Sequence, residues 1–297
     1  MAQPAMVPTA TDSAQAVLAP PSNATRVLRR LLSRPFAVVS IVILVVAIFS
    51  AVFAPFVAPY NPTAADFLNI LKPPLTAHHL LGTDDLGRDE LSRIIYGARV
   101  SLLVGGVGAF SALGFGLLLG SLAGYLGGWV DTVVMRIVDV QLSFPFILLV
   151  LTVNAVLGFG VRNIIISLVV AGWAVFARLT RGEVLKVRSL DYVSAAVATG
   201  ASPVRIIARH VVPNVIGPLL VVGTLQVSQF MIAEATVSYL GFGVQPPTPA
   251  WGNMLAEGEQ YFYTAWWMMV LPGVSLLVVS LAVNFIGDWL RQEFARG

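Results

Sequence analysis

One segment of the chain is both free of charge and long enough to cross a lipid bilayer. Residues 36–58 read FAVVSIVILVVAIFSAVFAPFVA, and a helix needs about 20 apolar residues to cross about 30 Å of hydrocarbon. The whole chain is 57% hydrophobic and 11% charged, against about 45–50% and about 25% in a soluble domain. One globular core cannot bury such an excess, so the sequence predicts an all-α polytopic membrane protein.

Five further apolar segments follow, which gives six predicted transmembrane helices. The second is longer than a minimal span and the fourth is the shortest. The five segments are 100–128, 137–157, 163–177, 211–237 and 266–290. Residues 59–98 then form an extracytoplasmic loop with an amphipathic helix at 89–96, and 178–214 form the longest loop on the opposite side.

The basic residues predict which side of the membrane each loop occupies. Thirteen of the 18 Lys and Arg residues lie on the side that carries both termini and loop 178–214. Because basic loops stay in the cytoplasm, we expect a multi-pass inner membrane protein with both termini cytoplasmic. Residues 1–24 lack the apolar run of a signal peptide, so we expect 1–35 to form a disordered cytoplasmic tail and 291–297 a second cytoplasmic tail.

Small residues recur every fourth position in the second span. They are Gly108, Ala112, Gly116, Gly120 and Gly124, and this spacing places them on one stripe of a helix. Such stripes allow close approach of a neighbouring helix. The sequence therefore predicts tight helix packing here, with a pore lining as the alternative.

Two acidic residues fall inside predicted spans, where charge is costly. Asp139 lies three residues after Arg136, a spacing that favours a local ion pair. Glu234 follows Gln226 and Gln229 in the fifth span. These polar residues, Asp139 included, are candidates for lining a translocation path, and the alternative for Glu234 is a structural hydrogen bond between helices.

Loop 178–214 contains the pattern of two helices joined by a sharp turn. Asp191 can cap the first helix, Gly200 can end it in the left-handed conformation, and Ser202 with Pro203 can start the second. The short helix between them is partly apolar but too short to span a membrane. Such a helix is expected either to dock in a groove of a partner or to lie on the membrane surface.

The same loop resembles a known family. The order Ser194-Ala-Ala, Gly200 and His210-Val-Val-Pro213 resembles the EAA loop of binding-protein-dependent ABC importer permeases. Segments 81–90 and 239–252 are similar to the C-type permease subunit of the dipeptide, oligopeptide and nickel importers. Ser194 replaces the glutamate of the motif and His210 an aliphatic residue, so the role of that glutamate cannot be transferred.

The resemblance implies a type I ABC importer permease, with a five-helix core at 99–290 and a coupling helix near 191–200. That helix would sit in a cleft of a cytoplasmic ATP-binding subunit. The resemblance also implies a second homologous permease, two ATP-binding subunits and an extracytoplasmic substrate-binding protein that docks chiefly on 239–265. The residues expected at the docking site are Asp191, Tyr192, Ser194, Ala195, Ala196, Gly200, Ala201, Ser202, Pro203, Arg209 and Pro213.

The residues also exclude several kinds of chemistry. No G-x-x-x-x-G-K-[ST] motif is present, so ATP and Mg²⁺ are expected on the partner subunits and this chain is expected to have no cofactor and no enzymatic activity. Its three histidines and the acidic residues of 84–90 match no metal-binding motif, and the basic residues form no nucleic-acid footprint.

The sequence therefore predicts a permease subunit that forms half of the path of an ATP-driven importer for di- or oligopeptides. The same architecture importing nickel, glutathione or another small solute is the alternative. A secondary transporter is a more distant one, since the two halves show no convincing inverted repeat.

Overall fold

The computed structural model describes residues 34–76 and 78–294, and within these ranges the chain is helical with two isolated bridges and no strand. This confirms the all-α prediction. Most of the predicted tail 1–35 lies outside the described residues. The elements are α1 Pro35–Val52, α2 Ala54–Val57, α3 Glu90–Leu126, α4 Gly128–Leu142, α5 Phe146–Leu157, α6 Val161–Arg188, α7 Asp191–Ala198, α8 Pro203–Ile206, a π-helical turn Ile207–Val211, α9 Val212–Tyr239, α10 Trp251–Glu259 and α11 Trp267–Phe294.

Within residues 34–76 and 78–294, five helical segments are long and apolar enough to cross a membrane. They are α1, α3, α6, the continuous stretch Pro203–Tyr239 and the part of α11 that covers Trp267–Glu293. Helices α4 and α5 are bent by 95° relative to each other and together also meet the criterion. Counted as one crossing, this pair makes six, in agreement with the six predicted spans.

The bend between α4 and α5 occurs at Pro145, which has no backbone donor and adopts an extended conformation with ψ 126°. Both helices still run alongside α6 in one direction. Asp131 of α4 binds Arg181 of α6, and Asn154 of α5 accepts a hydrogen bond from Ser167, nearer the start of α6, at 3.4 Å. The pair thus runs from one end of the bundle to the other.

Two predicted boundaries are wrong. The expected amphipathic helix 89–96 is not a separate element, because α3 begins at Glu90 and continues into the membrane span. Asp89 caps this helix, accepting a hydrogen bond from the Ser92 backbone N–H at 2.8 Å. The fourth span, predicted as 163–177, extends over the 28 residues of α6. Arg181 lies beyond the apolar part of this helix and is paired with Asp131 of α4, which allows the helix to continue.

The glycine stripe of α3 packs directly against α6. A Cβ on Gly116 would lie 2.4 Å from the Cβ of Phe176, and one on Gly120 would lie 2.5 Å from the carbonyl oxygen of Ala177. All five stripe residues are buried. The prediction of tight packing is confirmed, and a pore lining at this stripe is inconsistent with the burial.

The connections between helices gather at the two ends of the bundle. Segment 189–202, which includes α7, lies at the end that we call proximal. Segments 58–89 and 240–266 lie at the opposite, distal end, where Trp267 Nε1 donates to the carbonyl of Thr83 at 3.0 Å. Helix α1 packs along the side of the bundle, on α3 and α11.

Candidate functional site

The proximal loop forms the short helix expected from the sequence. Helix α6 ends at Arg188 and α7 begins after Leu190. Leu190, not Asp191, is the N-cap, so the predicted capping role of Asp191 is wrong. Asp191 instead occupies the first turn of α7, where a carboxylate is stabilised by the helix dipole.

Helix α7 ends in a Schellman motif. Gly200 has φ +80°, its N–H donates to the carbonyl of Val197, and the N–H of Ala201 donates to the carbonyl of Ala196. Glycine adopts this left-handed conformation most readily, because it has no Cβ. Ser202 is then the N-cap of α8 and Pro203 its first residue, so these three predictions are confirmed.

One side of α7 is fixed to the protein core and the other is exposed. Val193 is 1% exposed and belongs to the same core cluster as Ile206 and Val211. Tyr192 and Val197, in contrast, are 43% and 54% exposed. A short helix with an exposed apolar side and a fixed base is the arrangement that helix-in-groove recognition requires.

The other predicted docking residues lie on or beside this exposed surface. Ala196 and Ala201 are half-buried, and the remainder are exposed. Tyr192 also lies beside His210, with ring centroids 6.1 Å apart, which connects α7 to the π-helical turn. The exposed residues are Asp191, Tyr192, Ser194, Ala195, Gly200, Ser202, Pro203, Arg209 and Pro213.

The structure buries Glu234, one of the candidate path residues, inside the subunit. Its two carboxylate oxygens accept hydrogen bonds from Ser101 of α3 at 3.0 Å and from Ser238 at 2.8 Å. This geometry favours the alternative of an interhelical hydrogen bond over a path-lining role. Gln226 is half-buried and Gln229 is exposed, so a path role for these two stays a prediction.

Asp139 does not pair with Arg136, and the predicted local ion pair is wrong. Its partner is Arg178 of α6, because the antiparallel helix brings this guanidinium opposite the carboxylate. Both side chains are about half exposed. Asp139 therefore fastens α4 to α6 near the proximal end, next to the Asp131–Arg181 pair.

A buried charge network at the distal end was not found from the sequence. Asp84 accepts hydrogen bonds from Arg88 and Arg93. Both arginines also donate to Glu257 of α10, at 3.0 and 2.6 Å respectively. The network joins segment 81–90, α3 and α10. Its sequence signal was the cluster of opposite charges before the second span, whereas nothing near Glu257 indicated a basic partner.

The acidic part of this network contains one group with metal-like geometry within residues 34–76 and 78–294. Carboxylate oxygens of Asp84, Asp85 and Glu257 lie within 4.8 Å of one another. Burial, followed by the adjacent Asp84 carboxylate, raises the pKa of Asp85. Arg88 and Arg93 already bind Asp84 and Glu257, so the negative charge of these two carboxylates is largely neutralised. The expectation of no metal site stays a prediction.

The second distal connection, 240–250, is held by side-chain contacts with the bundle. Asn154 of α5 donates to the carbonyl of Phe242, and Asn253 of α10 accepts from the N–H of Ala250 at 3.0 Å. Trp251 is buried and donates through Nε1 to the carbonyl of Ile94 at 3.1 Å. The distal end therefore presents an ordered surface to any partner.

The bundle has six crossings, with a short helix, anchored and exposed, between the fourth and the fifth. This arrangement is typical of a permease subunit that is driven by a separate motor subunit. Comparison with known families agrees. Residues 116–296 match the family described as binding-protein-dependent transport system inner membrane component, and residues 22–74 match the N-terminal transmembrane domain of oligopeptide transport permease C. The chain belongs to the binding-protein-dependent transport system inner membrane component family.

Curated relatives cover most of the chain. It is 43% identical to the di/tripeptide transport system permease protein DppC of Pseudomonas aeruginosa, over 80% of each chain. It is 37% identical to the dipeptide transport system permease protein DppC of Alkalihalophilus pseudofirmus, over 89% of this chain and 86% of the relative. It is also 36% identical to the probable D,D-dipeptide transport system permease protein DdpC of Escherichia coli, over 91% and 90% respectively.

A solved structure shares the fold. The inward-facing MetNI methionine ABC transporter contains a chain that matches 67% of this one and 94% of its own length, with a TM-score of 0.54 and 22% identity. This likeness confirms the predicted ABC importer permease fold. Together with the family match, it places the protein among multi-pass inner membrane components that work with other subunits.

Proposed function

We propose that the chain is the C-type permease subunit of an ATP-driven importer of di- or oligopeptides and forms half of its translocation path. The observation that carries this proposal is the exposed helix α7, fixed at its base by Val193. The substrate class is supported by the relatives, whose names specify dipeptide or di/tripeptide transport.

In this proposal α7 is the coupling helix that receives the ATP-binding subunit. Its two connections differ in length: only Ser189 and Leu190 separate it from α6, and Thr199–Ser202 separate it from α8. Because Val193 and Ile206 are packed in one cluster with Val187 of α6, a displacement of α7 is transmitted to both long helices instead of being absorbed by a loop.

The motion would then reach the rest of the bundle through rigid contacts. Helix α6 packs on α3 along the glycine stripe, where the backbones are too close for sliding without separation. Helix α9 is joined to α3 by the hydrogen bond between Glu234 and Ser101. Closure of two ATP-binding subunits would thus tilt α3, α6 and α9 as one body, which is the kind of rigid-body change that opens and closes a path.

The proposed function also specifies the orientation of the chain in the membrane and its partner subunits. The proximal end, with most of the basic residues, faces the cytoplasm, as do both termini. The distal end faces outward, where a substrate-binding protein docks chiefly on 239–265. A second, homologous permease completes the path, and ATP with Mg²⁺ binds on the two ATP-binding subunits, which leaves this chain a transport subunit without enzymatic activity.

Transport in proteoliposomes tests the function. The chain is reconstituted with its second permease, ATP-binding subunits and binding protein, and uptake of a labelled dipeptide is measured with and without internal ATP. We expect ATP-dependent uptake that unlabelled dipeptide suppresses and nickel does not. Uptake without ATP, or ATP-dependent uptake of nickel but of no peptide, would overturn the proposal.

A further inference from the structure

In the distal segment 66–90, several charged side chains are buried and large apolar side chains are exposed, an inversion of the arrangement usual in a surface loop. Its buried side chains include His79, Asp84, Arg88, Asp89 and Glu90. In a loop surrounded by water, charged side chains of this kind are exposed and apolar ones are covered. The inversion therefore indicates that the surroundings of this segment are not simply water.

Six large apolar side chains among the described residues of the same segment are exposed, and we call them the distal apolar patch. Leu68 and Leu75 are 89% and 82% exposed, so almost nothing in this subunit covers them. Exposed groups of large apolar side chains mark a surface that another phase or molecule covers. The patch consists of Phe67, Leu68, Ile70, Leu75, Leu80 and Leu86.

The depth of the segment follows from its contacts with α11. Trp267 at the distal end of α11 donates to the carbonyl of Thr83, and Leu71 packs in the same cluster as Trp267. Trp289 lies near the other end of α11. The two tryptophans are 22 positions apart, and a helix of that length rises by about 33 Å. This rise matches the roughly 30 Å hydrocarbon thickness, so Trp267 and the segment bound to it lie at the membrane–water interface.

The lateral position of the segment is on the side of α1. The Tyr60 ring, just beyond α1 and α2, lies 4.7 Å from the ring of His79. Of the five long helices, α1 is the least buried within the subunit, with 17% of its residues covered, as expected for a helix that faces lipid. Exposed aromatic side chains near the start of α11, Tyr263 and Trp266, are typical of an interfacial belt.

We infer that the distal apolar patch inserts into the headgroup–acyl boundary of the membrane leaflet at the distal end, so that lipid is its partner. The buried charge network then explains why charged side chains of the same segment do not reach the lipid. It pairs Asp84 with Arg88 and Arg93 inside the subunit, and the surface turned to lipid remains apolar.

Site-directed spin labelling tests this inference, and the chain is suited to it because it contains no cysteine. Labels are placed at Leu68→Cys and Leu75→Cys in the assembled transporter, with cysteine-free partner subunits, in phosphatidylcholine nanodiscs. Val45→Cys on exposed α1 is the lipid reference and Thr63→Cys, exposed in the same connection, is the water reference. Power saturation with oxygen and with a nickel chelate reports the surroundings of each label.

We expect the ratio of oxygen to nickel accessibility at 68 and 75 to be several-fold higher than at 63 and lower than at 45. A ratio equal to that at 63 would overturn the inference, because the patch would then face water. Exclusion of both reagents would overturn it in favour of a protein cover such as the second permease. A drop in oxygen accessibility on adding the binding protein would identify the patch as its docking surface instead.

Discussion

Arg93 in the first turns of α3 donates to Glu257 of α10 at 2.6 Å, across 164 positions of the sequence. The Arg93 side chain is 2% exposed and that of Glu257 is 21% exposed. The contact closes the distal end of the bundle, because α10 belongs to the connection before the last crossing and α3 begins the second. Two connections that are distant in the sequence are thus joined by a direct charge contact.

Replacing Glu257 by Gln is expected to destabilise the distal end. The amide cannot compensate the charges of Arg88 and Arg93, and loss of hydrogen bonds to charged groups costs about 2 kcal/mol. Thermal unfolding of the purified subunit in detergent measures the effect. Glu259→Gln on the same helix is the matched control, because Glu259 accepts only an exposed hydrogen bond from Tyr239 that the amide oxygen can still accept. Equal destabilisation by both variants would contradict a special role for Glu257.

Replacing Gly120 by Ala is expected to separate α3 from α6. The new Cβ would lie 2.5 Å from the Ala177 carbonyl oxygen and 2.7 Å from the Thr180 Cβ, and overpacking of this kind costs about 1–3 kcal/mol. Gly114→Ala is the matched control, since nothing lies within 4 Å of a Cβ there. Thermal unfolding should shift down for Gly120→Ala alone, and an unshifted transition would mean that the stripe is not tightly packed.

Replacing Gly200 by Val is expected to weaken binding of the ATP-binding subunit without preventing membrane insertion. A β-branched residue resists the φ of +80° that ends α7, so the Schellman motif is distorted. Asn, of similar size, tolerates this conformation and should retain binding. Recovery of the ATP-binding subunit in a pull-down measures the difference, and equal recovery with Val and Asn would exclude a conformational role.

Replacing Glu234 by Ala is expected to lower stability and leave substrate preference unchanged. The substitution removes the acceptor of both Ser101 and Ser238, and unpaired buried hydroxyls cost about 1–3 kcal/mol each. Gln229→Ala, at an exposed position of the same helix, should leave stability unchanged. Competition between labelled dipeptide and other peptides in proteoliposomes tests whether substrate preference is unchanged. An altered order of preference in Glu234→Ala would assign this residue to the path.

Local patterns predicted the spans and the turn that ends α7, because both depend on neighbouring residues. The apolar runs set the crossings, and Gly200 followed by Ser202 and Pro203 set the turn. The continuity of α3 from Glu90 into the second span was missed for a physical reason. Glu90 and Arg93 lower the local hydropathy, and only the folded chain shows that Arg93 is neutralised by Asp84 and by the distant Glu257.

The partners of charged groups could not be predicted from spacing. Arg136 lies one turn from Asp139 on the same helix, yet the packing of α6 brings Arg178 to the carboxylate. The same holds for Glu234, whose acceptor role depends on Ser101 of another helix. Sequence patterns therefore located the charged residues correctly but could not choose among their partners.

Photo-crosslinking at α7 tests most directly whether this helix receives the motor. Tyr192, 43% exposed on α7, is replaced by p-benzoylphenylalanine in the assembled transporter, and Tyr263, 98% exposed at the distal end, is replaced in the same way as a matched control. Irradiation should join position 192 to an ATP-binding subunit and leave position 263 unattached to it. A crosslink to that subunit from 263 and none from 192, or products from 192 with lipid alone, would contradict the account.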